Sequence, residues 1–109
     1  MKAVLEDQAE LNFRVFEIPL SGIKINGKKI RYFDFLSSLQ YEDCNKALKR
    51  IVPKINMTKI NQIIDETPYL SKLQISFYKT ILKARKEMIL DFSYQKLLEH
   101  ERLKKQNNN

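Results

Sequence analysis

The sequence predicts a mainly α fold of the α+β class: a short N-terminal β-hairpin over about residues 22–32, then three short helices and one long C-terminal helix. Three observations predict it. From Thr67 to Leu98 apolar residues recur at steps of three and four, the period of a helix with one buried face. Asn26-Gly27 stands between two arms of alternating polarity, and both residues accept the positive φ that a two-residue hairpin turn demands. Two Gly and three Pro among 109 residues, with 43% hydrophobic residues including six Phe and five Tyr, argue against a loop-rich or disordered chain. That length suits a single helical domain over 1–109.

In chain order, residues 1–11 read as a loose segment, because acids interrupt the apolar run of Ala3, Val4 and Leu5. The β-branched and aromatic content of Asn12 to Ile18 predicts a strand, stopped or made an edge by Pro19. In the hairpin Ile25 faces Lys28 and Ile23 faces Ile30, which puts the three isoleucines on one face and Lys24 and Lys29 on the solvent side. Phe33 to Leu39 is a short helix entered near Asp34. Tyr41 to Val52 is a second, with Cys44, Ala47, Leu48 and Ile51 as its apolar stripe and Glu42 and Asp43 in the first turn, where acids suit the helix dipole. Pro53 closes it. Asn56 to Glu66 is the third, with Met57, Ile60, Ile63 and Ile64 on its apolar face and Thr67-Pro68 as its stop.

The long helix starts near Ser71, since Ser71 and Gln74 have the spacing of a capping box. Its core stripe is Leu73, Phe77, Ile81, Ala84, Met88 and Phe92, flanked by Tyr78, Leu82 and Ile89, with Lys72, Lys79, Lys83 and Lys86 behind and Arg85 at the edge. A kink or break is expected after Asp91, with Asp91 or Ser93 capping a last helix that carries Leu97, Leu98 and Leu103. Residues 104–109 form a polar tail expected to fray.

The residues exclude more chemistry than they suggest. Both glycines, Gly22 and Gly27, belong to the hairpin, which leaves none for a phosphate-binding loop. His100 is the single histidine and stands in the charged tail, and Cys44 is the single cysteine, so a disulfide, a multi-cysteine metal site and a histidine triad are all unsupported. Asp65 and Glu66 are adjacent on a helix and point apart. No Asp-Phe-Gly or His-Arg-Asp motif is present, and the DFS at Asp91 lies in a helical context. No enzyme activity of the isolated chain, no catalytic or metal residue and no cofactor is therefore expected. No apolar run reaches the roughly 18–20 residues of a membrane span, so a cytoplasmic protein without membrane contact is the expectation.

The net charge of +7 sits on the helical body, because residues 1–20 hold Glu6, Asp7, Glu10 and Glu17 against Lys2 and Arg14. Candidate contacts to phosphate or to an acidic partner are Lys46, Lys49, Arg50, Lys72, Lys79, Lys83 and Lys86, with Lys54, Lys59 and Arg85 beside them. Base reading by a helix-turn-helix would rest on Asn61 and Gln62, after a P-K-I-N connection that lacks the usual glycine. An ordinary solvated basic surface explains the same residues.

The stretches INGKKIRYFDFLSSL and IVPKINMTKINQIIDETPYLSKLQISFYKTILKARKEMIL resemble the C-terminal helical region of HipA-like proteins, serine/threonine kinases that act as toxins of bacterial toxin–antitoxin pairs. In that family an I-N-G-K segment precedes a D-F-L helix, and a D-x-x-P-Y-[LI]-S-x-x-Q segment leads into a long helix with F-Y-K. The matching residues are Asp65 to Ser71 and Phe77-Tyr78-Lys79, within a resemblance over about residues 20–98. The nucleotide-binding lobe and catalytic motifs of the family lie upstream of this region and have no counterpart here, so no catalytic residue is carried over. The resemblance implies a non-catalytic helical module acting by protein contact, with the upstream kinase portion or an antitoxin as partner. The alternative is an independent basic helical domain that binds nucleic acid.

Overall fold

The computed structural model describes residues 1–18 and 21–107. The N-terminal expectations fail there. Residues 2–16 form two helices, α1 (Lys2–Glu6) and α2 (Gln8–Phe16), where the sequence suggests a loose segment and then a strand. Asp7 separates them and caps α2 by accepting a hydrogen bond from the Ala9 amide, and Glu10 pairs with Arg14 one turn on at 3.1 Å. Leu11 and Val15, four residues apart, face the core, where Val4 and Val15 are 3% and 4% exposed. Packing on the long helix outweighs the β propensity of Phe13, Val15 and Phe16. The reading of Pro19 as a strand stop falls outside the described residues.

The hairpin forms as the turn chemistry requires. Strands β1 (Lys24–Ile25) and β2 (Lys28–Lys29) pair with Lys24 opposite Lys29 and Ile25 opposite Lys28, and Ile30 donates to the Ile23 carbonyl beyond them. Asn26 and Gly27 hold φ of 54° and 79°, the left-handed pair of a type I′ turn. Arg31, at the entry to α3 (Tyr32–Ser37), reaches Glu17 and Asp34 and so ties the hairpin exit to the end of α2.

Helix α4 (Glu42–Ile51) continues into a 3-10 turn (Val52–Lys54) containing Pro53, and α5 (Met57–Glu66) follows with Asn56 as its side-chain cap. Ser71 and Gln74 close the expected capping box on α6 (Lys72–Arg85), with both reciprocal bonds present. The expected break after Asp91 is absent. A π-helical segment (Lys86–Asp91) leads without interruption into α7 (Phe92–Asn107), so the helix includes residues 104–107 of the expected tail, while Asn108 and Asn109 lie outside the described residues. Lys86 and Asp91, five residues apart, are joined at 2.8 Å, a spacing that the wider π turn brings onto one face.

That turn re-registers the core. Upstream, Ile81 and Ala84 are buried as expected; downstream, the buried positions are Ile89, Ser93 and Leu97 rather than Met88 and Phe92. Phe92 is 49% exposed, with its ring 5.4 Å from that of Phe33. One extra residue in the turn moves the stripe by one place. At about 1.5 Å per residue a straight helical rod over 72–107 measures about 54 Å, which accounts for the molecule's longest dimension of 55 Å.

The other elements lie along this rod. Helices α1, α2 and α5 pack on α6, and α3 and α4 pack on α7. Two apolar clusters result, one around Val4, Val15, Ile81, Ala84 and Ile89, the other around Leu48, Val52 and Leu97. Leu36 and Leu90 belong to both and form the seam between them. Arg85 closes the first cluster by donating to the Arg14 and Ile18 carbonyls at the end of α2, a cation at a helix C-terminus. The radius of gyration is 16.4 Å, against about 13 Å for a compact chain of this length.

Candidate interaction site

The structure scatters the candidate cations. Lys79 pairs with Asp65 at 2.7 Å, Lys86 with Asp91 at 2.8 Å, Lys49 with Glu101 at 3.0 Å and Lys46 with Glu42 at 3.7 Å, while Arg85 is spent on backbone carbonyls. Among the described residues Arg50, Lys54, Lys59, Lys72 and Lys83 have no acid within 4.0 Å, and all five are exposed. Candidate cations meet in a cleft between α4 and α7, where Lys46 and Lys49 approach His100 and Lys104, but Glu42 and Glu101 line it too. Asn61 is half-buried, which removes it from an exposed base-reading surface, and Gln62 donates to Glu66. Asp65 and Asp91 are engaged in ion pairs, and among the described residues no three His, Cys, Asp or Glu side chains gather where a metal ion would bind.

Charge perturbations follow the ion pairs. The hydrogen bonds that Arg31 donates to Asp34 and Glu17 raise its pKa above the ordinary value. The bond to Arg102 holds the Glu99 carboxyl below the usual carboxylate range. Burial, with Arg14 nearby, lowers the Arg85 pKa. These are supporting contacts of the fold; Arg31 and Glu17 together line a small cleft of about 90 Å³ beside Phe16 and Tyr32.

The concave feature that stands out is apolar. The stripe of α4 expected to enter the core does so only through Leu48, at 4% exposure; Ile51 is 47% exposed, and Cys44 and Ala47 are half-buried. With Leu36 of α3 and Leu90 of the π segment they line a groove of about 160 Å³ at the seam of the two clusters. Sequence periodicity places Cys44, Ala47 and Ile51 on the inner face of α4 but is silent on whether the neighbouring elements are wide enough to cover it. A second exposed apolar area surrounds the α5–α6 turn, where Ile63 is 64% and Leu73 42% exposed. Tyr69 in that turn is fully exposed and holds a φ of 68°, unusual for an aromatic residue.

This arrangement of α3, hairpin, capped α6 and long rod is shared with part of a solved kinase structure. Over 97 residues, 88% of its length, it is 43% identical to the serine/threonine-protein kinase CtkA of Helicobacter pylori strain J99. The solved structure of the Helicobacter pylori proinflammatory kinase CtkA matches 90% of the chain with a TM-score of 0.84 at 42% identity. The chain spans 30% of that curated kinase and 35% of the crystallised one. No known family model matches it. The chain is therefore related to part of a kinase, and its fold is shared with that part. Among the described residues no helix is long and apolar enough to cross a membrane.

Proposed function

We propose that the chain is a non-catalytic helical module of a HipA-like serine/threonine kinase system, acting in the cytoplasm by direct contact with the kinase portion that carries the catalytic groups. The observation that carries this reading is the match to about a third of a kinase by a chain that leaves an apolar groove at the seam of its own core. A surface of that kind, on a body more extended than its length requires, is suited to a protein partner. The nucleic-acid alternative is weaker, because Lys46, Lys49, Lys79 and Lys86 are paired with acids and Arg85 faces backbone. Phosphoryl transfer needs a phosphate-holding group, metal ligands and a residue that orients the nucleophile, converging in one cleft. The chain alone is therefore expected to transfer no label from ATP and magnesium. Co-expression with the portion of the Helicobacter pylori kinase outside the matched segment should yield a stable complex. Label transfer by the pure chain, lost on Asp65→Asn or Asp91→Asn, would overturn the non-catalytic reading, and absence of any complex would overturn the partner.

A further inference from the structure

We propose that the wide turn of the rod is a two-position register switch: it sits at residues 86–91 while Asp91 holds Lys86, and moves to about residues 91–96 when Asp91 pairs with Lys96 instead. The rod is pinned on both sides of this stretch. Upstream, Arg85 donates to the Arg14 and Ile18 carbonyls at 3.2 and 2.9 Å. Downstream, Lys96 donates to the Ser37 carbonyl at 2.7 Å and Lys49 holds Glu101 at 3.0 Å. Between the pins the π segment carries one residue more than a regular helix needs. That residue must be housed between them, and packing and charge decide where.

Packing favours the lower place. As the turn stands, Ser93 is fully buried and its Oγ has no hydrogen-bond partner among the described residues, while the neighbouring Phe92 ring is exposed. Moving the turn one helical turn down slides the residues between by one place. Met88 then takes the position of Ile89 and Phe92 that of Ser93, whereas Leu97 stays where it is. The core stripe becomes the regular series Ile81, Ala84, Met88 and Phe92. The groove of about 160 Å³ lined by Leu90, three residues before Ser93, gives displaced side chains room to move.

Charge favours the observed place. Lys86 and Asp91 meet at 2.8 Å because a π turn brings residues five apart onto one face, and both are largely shielded from water. A regular helix there separates them and sets Asp91 over Glu87, four residues away and of like charge. Lys96 is the compensation, since it lies five residues beyond Asp91 and already borders one shallow hollow with Asp91, Glu87, Phe92 and Gln95. Its ammonium has donors to spare beyond the bond to Ser37. With Lys86 in place the turn stays at 86–91; without it the turn moves, and that side of the rod exchanges a phenyl ring for a hydroxyl.

The thiol introduced by Ser93→Cys, in a full chain that also carries Cys44→Ala, reads the register through its alkylation rate. With the native charges it is expected to react slowly. Lys86→Glu, which sets two acids against each other across residues 86–91, should raise the rate about tenfold. Adding Asp91→Lys re-forms the pair with its charges reversed and should restore the slow rate. Deletions give a second readout in denaturant titration. The native charges favour loss of Glu87 over loss of Gln95, and Lys86→Glu should reverse that order, which fraying of the helix would not do. Circular dichroism checks folding; if Lys86→Glu does not fold, Lys86→Met takes its place. An unchanged alkylation rate, a raised rate that charge reversal does not restore, an unreversed order of deletions, or loss of the fold in both Lys86 variants overturns the inference.

Discussion

Ile81 and Lys79 lie two residues apart on α6 and differ in almost everything that decides stability. Ile81 is 3% exposed inside the larger cluster, and Ile81→Ala is expected to cost about 2–5 kcal/mol through lost contacts and a residual cavity. Lys79→Ala removes a partly exposed pair with Asp65, and such pairs are worth less than about 1 kcal/mol. Thermal melts of the two variants check the assignment of faces, and comparable losses would reverse it. Tyr69 allows the opposite experiment. Its left-handed backbone costs an L-residue roughly 1–2 kcal/mol, and its exposed ring returns no packing energy to this chain. Tyr69→Gly should leave the melting temperature unchanged or raise it, because relief of strain offsets the greater freedom of the unfolded glycine. A clear destabilisation would show that the ring packs in solution.

At the scale of elements, the π segment makes a length prediction. Its turn holds one residue more than an α-helical register needs, so deleting the exposed Glu87 should convert it to a regular turn and keep Ile81, Ala84, Ile89, Ser93 and Leu97 on one face. Deleting Gln95 instead should rotate Leu97 out of the second cluster, with a much larger loss in denaturant titration. Equal losses would show that the wide turn has no preferred place. The same segment explains what the sequence could tell. The hairpin was legible because Asn26-Gly27 is local chemistry, and the start of α6 because Ser71 and Gln74 cap each other. The N-terminal helices were not, because Phe13, Val15 and Phe16 have the composition of a strand and are held helical by contacts with α6 far along the chain. The stripe through Met88 and Phe92 followed an ideal period that the π turn breaks. The candidate cations were visible as residues, and the Glu42–Lys46 pair is local, but pairs such as Lys49 with Glu101 span distances no local pattern reveals. The groove was missed for the same reason: its walls come from four elements, α3, α4, the 3-10 turn and the π segment.

At the scale of the whole molecule, the rod from α6 through α7 sets both the length and the division into two clusters. Covering the groove should tie those clusters together, so the co-expressed complex is expected to unfold in one transition at a higher temperature than the free chain, checked by calorimetry. An unchanged transition would mean that the partner contacts some other face. Because the rod accounts for the 55 Å dimension while the shortest is 22 Å, rotation in solution is expected to be anisotropic. Amide bonds in a helix point along its axis, so those of residues 72–107 should share one fast transverse nitrogen relaxation rate. A step in that rate at residues 86–91 would reveal two segments reorienting independently, and its absence would mark the wide turn as a stiff splice.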